Sequence, residues 1–397
     1  MNDGEESGAT ITDVQTTIIE GNFPWTLVRI YTDEGTYGTG EAVLGPKADA
    51  YIDHAKQFLI GESPLDIDAR MSELYARLAH HGGISGVGVT AASALDIALH
   101  DLAGKLLGVP AYRLLGGKHR DSVRVYCDTH AGAHLHEAAD EAESEEFDDP
   151  YAPEAFVGAA EEVLEEGFDA IKFDLDAGHR FEGDMRNSHL SNKGVEYRRK
   201  IVEGVTEAVG DRADVAFDCH WSWNADSVGR LASAVSDYDV WWLEDTVPPE
   251  NHDVQIEVTR NVDTTIAAGE NVYRAQGARR LLENQGLDVI HPDVPKNGGM
   301  LEAKKIADMA KTYYIPLALH NVSSPIGTMA SAHVAASASN FLALEYHARD
   351  VPWWGDLVGE ELIEDGEIEV PDEPGLGVEL DRGVAKEHLA EGETLFQ

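Results

Sequence analysis

The sequence has little that would suit a secreted, membrane-embedded or disulfide-stapled protein. Only two of its 397 residues are cysteines, Cys127 and Cys219, and each lies in a short apolar run. This excludes a disulfide framework and predicts a reducing compartment. No apolar run approaches the roughly 20 residues that a membrane span requires. The opening residues MNDGEESGAT lack the basic stretch and apolar core of a secretory signal. We therefore expect a cytoplasmic protein.

Basic residues are also scarce. The sequence has 30 Lys and Arg against 73 Asp and Glu, a net charge of −43 at pH 7. Such a charge repels nucleic acid and anionic lipid, so we expect neither as a partner. Concentrated salt screens charges to within a few ångströms and removes the self-repulsion, which predicts a protein from a halophilic cell. A disordered acidic tail is the alternative, but the acids are spread through periodic helical segments.

From about residue 123 the sequence alternates short apolar runs with amphipathic stretches or polar loops. The runs are VRVYCD, DAIKFD, DVAFD, DVWWLED, TTIAAGE, LDVIHPD, IPLALHN and FLALEYH. Eight strands alternating with helices predict a closed parallel barrel, which we assign to residues 123–351. Acidic insertions at roughly 135–149 and 176–193 lengthen its upper loops and either cover the site or only decorate it. The histidines at 134, 136 and 179 are expected to be solvated loop residues.

The region before residue 123 has a different pattern. Strands are predicted around TITDVQTTII, WTLVRIYTD and TYGTGEAV, with a hairpin turn at Asp33, Glu34 and Gly35. Helices are predicted around 47–59, 65–79 and 87–107. We expect an α+β domain over residues 9–122, completed by the C-terminal residues 352–397. The predicted fold class is therefore α/β, a modified (β/α)8 TIM-type barrel with an N-terminal α+β domain.

Polar side chains end six successive predicted strands. They are Asp218, Glu244, Glu270, Asp293, His320 and Glu345, at intervals of 26, 26, 23, 27 and 25 residues. The strands of a parallel barrel open their carboxyl ends on one face, so these side chains should share a site. A single acid at a strand end is usually a helix cap or loop residue, but six in succession favour a functional site.

The first three of these acids predict a metal site. Asp218, Glu244 and Glu270 offer carboxylate oxygens, which select Mg²⁺ or Mn²⁺ over zinc. Three acids close together raise one another's pKa, and a cation resolves this repulsion. Lys172, in the run IKFD, supplies a further positive charge on the second strand.

The next three residues predict acid–base chemistry. A carboxylate bonded to an imidazole orients the ring and raises its basicity, so Asp293 and His320 on adjacent strands suit a general base and its partner. Glu345, on the neighbouring strand, would if protonated donate a hydrogen bond to a substrate carboxylate as charge develops there.

Together these residues resemble the mandelate racemase branch of the enolase superfamily. Residues 92–117 are similar to the last helix of that branch's capping domain, so we call residues 9–122 the capping domain. The resemblance implies a Mg²⁺-dependent enzyme that forms an enediolate by removing the proton next to a carboxylate. It also implies a metal at Asp218, Glu244 and Glu270, and the pair Asp293 and His320 as the base.

Two positions depart from the racemases of this branch. Their Lys-x-Lys on the second strand is Lys172-Phe173-Asp174 here, so the second ammonium base is missing and racemisation is disfavoured. Asp174 is expected to bind a sugar hydroxyl or to pair with Lys172. The motif Asp218-Cys219-His220 resembles the acid-sugar dehydratases. Strand alternation points His220 inward, as an acid or a hydroxyl contact, with a core position as the alternative.

We therefore expect a dehydratase of an acid sugar of the gluconate, galactonate or xylonate class. Metal and Lys172 hold the carboxylate, His320 removes the C2 proton, and His320 or His220 protonates the departing C3 hydroxyl, giving a 2-keto-3-deoxy acid. Epimerisation or sugar-lactone cycloisomerisation through the same enediolate, and a non-catalytic sugar-acid binding protein, are the alternatives. Loops around Phe23, Trp25 and His80–His81 are expected to read the substrate, with Trp25 as a contact residue. We also expect a homo-oligomer.

Overall fold

The computed structural model describes residues 8–80, 82–131, 151–176, 181 and 183–396. The capping domain begins with an antiparallel sheet of β1 (Ile11–Glu20), β2 (Pro24–Thr32) and β3 (Tyr37–Ala42), in that order. The predicted hairpin joins β2 to β3, and Gly35 in its turn has a φ of 80°, a left-handed conformation that glycine adopts without steric cost.

Three helices follow the sheet close to the predicted positions. They are α1 (Ala48–Lys56), α2 (Ile67–Ala79) and α3 (Val87–Leu107), and the short α4 (Ala111–Leu114) comes next. Helix α3 lies between the sheet and the barrel. Gly40 lets β3 approach it closely, because a Cβ there would lie 2.1 Å from the Ala94 carbonyl oxygen. On its other side Ser93 and Asp96 accept hydrogen bonds from the barrel residues Gly298 and Leu301.

All eight predicted barrel strands are present. They are β4 (Ser122–Thr129), β5 (Ala170–Asp174), β6 (Asp214–Asp218), β7 (Leu243–Glu244), β8 (Ile266–Ala268), β9 (Val289–Ile290), β10 (Leu317–Leu319) and β11 (Phe341–Tyr346). Each strand pairs in parallel with the next, and β11 pairs with β4 through Leu344 and Val125, so the sheet closes. The predicted barrel with an N-terminal α+β domain is confirmed.

Helices surround the barrel and connect its strands. They are α5 (Pro153–Glu165), α6 (Asn192–Val209), α7 (Ala225–Val235), α8 (His252–Asn261), α9 (Arg274–Glu283), α10 (Val294–Asn297), α11 (Gly299–Thr312) and α12 (Pro325–Ser337). The predicted insertion at 135–149 lies outside the described residues, and so do the histidines at 134, 136 and 179. In the part of the chain that the structure describes, no helix combines the length and apolar character needed to cross a membrane.

The barrel interior below the site contains two large aromatic residues among small ones. Tyr126 and Trp242 pack edge to face with ring centroids 5.5 Å apart, in a cluster with alanines from other strands. The Tyr126 hydroxyl and the Trp242 indole nitrogen point toward the strand-end carboxylates. The Tyr126 hydroxyl donates to Glu345 Oε2 at 3.1 Å, and Trp242 Nε1 donates to Glu244 Oε2 at 2.8 Å. The barrel floor thus fixes two of the predicted site carboxylates.

The C-terminal segment contacts both domains. The amide of Ala390 donates to the Ile18 carbonyl, and the amide of Leu376 donates to Asp101 Oδ1, which places this segment against the capping domain. Its strand β12 (Glu367–Glu369) pairs antiparallel with the barrel strand β4, and α13 (Arg382–Glu387) follows. The sequence did not predict this pairing, because a strand of three residues carries no recognisable periodicity.

Candidate active site

Nine predicted site residues lie in or just beyond the barrel strands, around the opening at the carboxyl ends of these strands. We call this circle of strand-end residues the ring. Lys172 and Asp174 are on β5, Asp218 ends β6 and His220 follows it, Glu244 ends β7, Glu270, Asp293 and His320 follow β8, β9 and β10, and Glu345 is on β11. Most of these side chains are buried, whereas Asp174 and His220 retain partial exposure. The residue period of the sequence therefore does bring the predicted strand ends together.

Lys172 is surrounded by carboxylates. Its Nζ lies 2.7 Å from Glu244 Oε1, 2.8 Å from Glu345 Oε1 and 3.4 Å from Asp218 Oδ2. Burial alone would lower the pKa of Lys172, but the carboxylates of Asp128, Glu244 and Glu345 raise it well above the usual value. These carboxylates favour the ammonium form of Lys172, which is buried at the site.

His320 bridges two carboxylates. Its Nδ1 lies 2.7 Å from Asp293 Oδ2, and its Nε2 lies 2.8 Å from Glu270 Oε2. Burial would lower the pKa of His320, but Glu270, Glu345 and the bond to Asp293 raise it well above the usual range. The predicted pairing of Asp293 with His320 is present, and it leaves Nε2 as the nitrogen that faces the carboxylates of the ring.

Different cationic groups hold the three predicted metal ligands. Lys172 contacts Asp218 and Glu244, whereas Lys296 Nζ lies 2.9 Å from Glu270 Oε1. The oxygens of the three ligands do not all lie within 4.8 Å of one another. Among the residues that the structure describes, the group that meets this distance is Asp174, Asp176 and His220.

The chemistry of the predicted trio nevertheless fits a hard divalent cation. Burial raises the pKa of Glu244 well above its usual value, and Lys172 only partly offsets this. Burial also raises the pKa of Glu270, but His320 and Lys296 outweigh it and hold that pKa well below normal. A cation beside these carboxylates would replace the ammonium and imidazole groups that now neutralise them. The imidazole in the group of Asp174, Asp176 and His220 suits magnesium less well.

His220 leaves the strand rather than continuing its alternation. Strand β6 ends at Asp218, and His220 and Trp221 have φ angles of 39° and 57°. Strand alternation, from which we predicted the orientation of His220, therefore does not apply to this residue. A left-handed turn sets the ring, with the His220 amide bonded to Asp218 Oδ1 and Nδ1 2.9 Å from Asp176 Oδ1. The side chain is 30% exposed, so the alternative of a core position is not found.

The environment of His220 favours its protonated form. Burial lowers its pKa, but Asp218 and Asp174 raise it well above the usual value. Asp174 itself lies 3.8 Å from His220 Nδ1 and 3.3 Å from His130 Nδ1. The alternative in which Asp174 pairs with Lys172 is therefore not the arrangement that the structure shows.

Two predicted residues have neighbours that define their roles more closely. Glu345 Oε2 accepts hydrogen bonds from the Tyr126 hydroxyl and the Asn321 amide, and Oε1 lies 2.8 Å from Lys172 Nζ, so the donor role of Glu345 stays a prediction. Trp25 is fully buried, and its Nε1 donates to the carbonyl of Val322 at 3.2 Å. Trp25 thus supports the loop that follows His320, and its contact with substrate stays a prediction.

Sequence reasoning missed several residues of the ring. Asp128 and His130 lie at the end of β4, Asp176 lies beyond β5, Lys296 contacts Glu270, and His347 follows β11. Asp128 and His347 end the first and last apolar runs, so the strand-end rule could have found them. Lys296 follows Asp293 in a short helix, where spacing gives no sign of its contact with Glu270.

A barrel with a buried ammonium group, three strand-end carboxylates and a carboxylate-bound imidazole defines the class of enzymes that remove a proton next to a carboxylate. The chain belongs to the mandelate racemase/muconate lactonizing enzyme family of the enolase superfamily. Residues 12–116 match the mandelate racemase/muconate lactonizing enzyme N-terminal domain, and residues 155–384 match the family described as enolase C-terminal domain-like. The predicted superfamily and branch are confirmed.

Individual relatives narrow the class further. The chain is 56% identical to a D-xylonate dehydratase from Haloferax volcanii, over 98% of this chain and 91% of that protein. It is 30% identical to a D-gluconate dehydratase from Thermoproteus tenax, over 92% and 70% of the two chains. The crystal structure of a mandelate racemase/muconate lactonizing enzyme-like protein from Rubrobacter xylanophilus superimposes with a TM-score of 0.91 at 40% identity, covering 98% and 100%. The predicted carbon–oxygen lyase class agrees with the dehydratase names.

Proposed function

We propose that this chain is a Mg²⁺-dependent dehydratase of an aldonic acid, with D-xylonate as the first candidate substrate. The observation that carries the proposal is the bond between His320 Nδ1 and Asp293, which prepares a base at one side of the ring, while Asp174 occupies the position of a second lysine base. The 56% identity to a D-xylonate dehydratase supports the choice of substrate.

The substrate carboxylate binds at the positive end of the site. Lys172 provides a buried ammonium group, and Asp218, Glu244 and Glu270 would hold Mg²⁺, with Mn²⁺ as the alternative. When bound, the metal supplies positive charge to the carboxylate oxygens as the C2 proton leaves. Lys172 Nζ also lies 2.8 Å from Glu345 Oε1, a contact that involves no proposed metal ligand and favours the ammonium form.

His320 removes the C2 proton through Nε2. This nitrogen must be unprotonated and must exchange its present contact with Glu270 for the C2–H bond. A cation held by Glu270 would favour both changes, because Glu270 is the carboxylate that raises the pKa of His320 most. Asp293 accepts the hydrogen bond from Nδ1, fixes the tautomer and stabilises the imidazolium that forms. The C2–H bond thus breaks. Its proton goes to His320, and its electron pair stays with the substrate as part of the enediolate.

Loss of the C3 hydroxyl completes the reaction. His220, just beyond β6, can protonate the departing hydroxyl, because Asp218 and Asp174 raise its pKa and favour its protonated form. The His320 imidazolium is the alternative donor. The C3–O bond breaks, water leaves, and the enol tautomerises to a 2-keto-3-deoxy acid. The product therefore differs from the substrate by one molecule of water.

Turnover of a panel of aldonates, with Mg²⁺ and after chelation, tests this proposal. We expect Mg²⁺-dependent formation of a 2-keto-3-deoxy acid, fastest with D-xylonate, detected by NMR. C2 inversion without a keto acid would assign epimerisation, and a ring-opened or ring-closed isomer would assign cycloisomerisation. Binding of acid sugars without any turnover would identify a binding protein instead.

A further inference from the structure

One side of the ring carries residues that neither bind the metal nor transfer a proton in the proposed chemistry. The metal ligands follow β6, β7 and β8, the base and its partner follow β9 and β10, and Lys172 lies at the centre. The strand ends of β11, β4 and β5 that remain carry His347, Asp128, His130 and Asp174, which we call the β4 side. A substrate with its carboxylate at Lys172 and C2 at His320 leaves this side of the ring available to the rest of its carbon chain.

The β4 side carries buried polar atoms that have no hydrogen-bond partner within the described part of the chain. They are Asp128 Oδ1, His130 Nε2 and Asp174 Oδ1, the last of which faces His220 Nδ1 at 3.8 Å, beyond hydrogen-bond distance. Asp128 is only 6% exposed, so leaving this oxygen without a hydrogen bond costs free energy that a bound hydroxyl group would recover. Two acceptors and an imidazole nitrogen within one small region match the needs of hydroxyl groups, each of which donates and accepts.

The unpaired imidazole nitrogen is held in a defined direction. His130 Nδ1 lies 3.3 Å from Asp174 Oδ2, which directs Nε2 away from that carboxylate. The ring of His347 lies 5.1 Å from the His130 ring, and its Nε2 lies 3.7 Å from Asp128 Oδ2. Burial lowers the pKa of His347 to about 3, so this neighbour is neutral. Burial also lowers the pKa of His130, but Asp174 and Asp128 raise it by more.

The capping domain closes over the same side. Asn22 Nδ2 donates to the His347 carbonyl and to Asp350 Oδ1, and the Phe23 ring packs edge-on against the His347 ring at 5.7 Å. The loop between β1 and β2 is therefore bonded directly to the β4 side. This contact fixes the space available beyond C3.

We propose that His130, with Asp128 and Asp174, forms the subsite that binds the hydroxyl groups of the acid sugar beyond C3. This inference rests on the proposed function and adds His130 and Asp128 as residues that determine specificity.

The inference is tested by direct binding in a catalytically inactive background. His320→Asn prevents turnover, so the Kd of a five-carbon aldonate and of glycerate can be measured by calorimetry with Mg²⁺ present. Glycerate has the carboxylate, the C2 proton and the C3 hydroxyl, but nothing beyond C3. The comparison is then repeated with His130→Gln added, and with His119→Gln added as a control at an exposed position.

We expect His130→Gln to weaken binding of the five-carbon aldonate about 10-fold to 100-fold, the loss typical of hydrogen bonds to a buried polar group. Binding of glycerate should change by less than about 3-fold, and His119→Gln should change neither. Equal losses for both ligands would show that His130 only supports the structure, and an unchanged Kd for the aldonate would also overturn the inference. Failure of the active enzyme to dehydrate any aldonate would reject the proposed function, a separate result.

Discussion

Asp293 and His320 are joined twice, once through their backbones and once through their side chains. They form an isolated parallel β-bridge just beyond β9 and β10, and His320 Nδ1 lies 2.7 Å from Asp293 Oδ2. The bridge fixes the distance between the two Cα atoms, so the imidazole can meet the carboxylate without a search through loop conformations. The base is thus built into the barrel sheet itself.

His320→Asn should abolish dehydration while leaving the fold and cation binding nearly intact. Asparagine can keep a hydrogen bond to Asp293 but cannot accept the C2 proton. General-base assistance is typically worth about 10²–10⁴-fold, and we expect a loss at or beyond the upper end because the C2 proton is weakly acidic. The measurement is kcat with D-xylonate, with the melting temperature and Mg²⁺ affinity recorded alongside.

Product analysis in D₂O separates the possible reactions of the enediolate. In D₂O the active enzyme should form a 2-keto-3-deoxy acid, and the His320→Asn variant should form none. The exposed substitution His119→Asn serves as the matched variant and should retain activity. Deuterium at C2 with inversion and no keto acid would contradict dehydration and support epimerisation.

The cation should bind among Asp218, Glu244 and Glu270 rather than at Asp174, Asp176 and His220. The first group offers only carboxylate oxygens, which Mg²⁺ and Mn²⁺ prefer, whereas the second includes an imidazole. Crystals soaked in Mn²⁺ should give an anomalous peak in direct contact with the oxygens of the first group, and Mg²⁺ there should lie about 2.0–2.1 Å from these oxygens. Glu270→Gln should weaken cation binding strongly, and Asp176→Asn should not. A peak beside His220 would reject the assignment.

Stability should increase with salt concentration. The net charge of −43 repels itself over a screening length of about 10 Å at 0.1 M salt, and over only about 3 Å at 1 M. We expect the melting temperature and activity to rise across this range in KCl. The same experiment with sucrose at constant ionic strength separates screening from a general stabilising effect of the solvent. A melting temperature that does not change with KCl would contradict this interpretation of the composition.

Glu41 should make stability depend on pH. This buried capping-domain residue accepts hydrogen bonds from the amides of Ser324 and Gly327 at the start of α12, which follows the His320 loop. Burial raises its pKa from 4.5 to about 7, so the folded state holds a proton that the unfolded state releases. Its contribution is complete below about pH 4.5 and is lost as the pH rises through 7, by up to about 3 kcal/mol.

The comparison of wild type with Glu41→Gln isolates this effect. Glutamine keeps the shape of the protonated side chain but cannot ionise. The difference in unfolding free energy, measured by chemical denaturation at pH 5 to 8, should shift in favour of the variant as pH rises. A difference that is independent of pH would show that Glu41 does not change protonation between the folded and unfolded states.

Much of the ring was predictable, because residues that recur once per strand–helix unit all lie at the same end of a parallel barrel. Asp218 and Glu244 were assigned from their spacing alone, and β6 and β7 place them side by side. His220 shows where this rule stops. It lies beyond the last paired residue of β6, so its direction depends on a left-handed turn and on Asp176, neither of which strand alternation describes.

The sequence by itself determined the barrel, its order of strands and the six polar strand ends, because these depend on local periodicity and on a constant repeat length. Only the tertiary structure decided which charges meet. Lys172 reaches Glu345 although 173 residues separate them in the sequence, because β11 closes against β4. The loop between β1 and β2 likewise contacts His347 only in the folded chain, since Asn22 and His347 lie 325 residues apart. Contacts of this kind follow from closure of the sheet and from packing between domains, which no local pattern encodes.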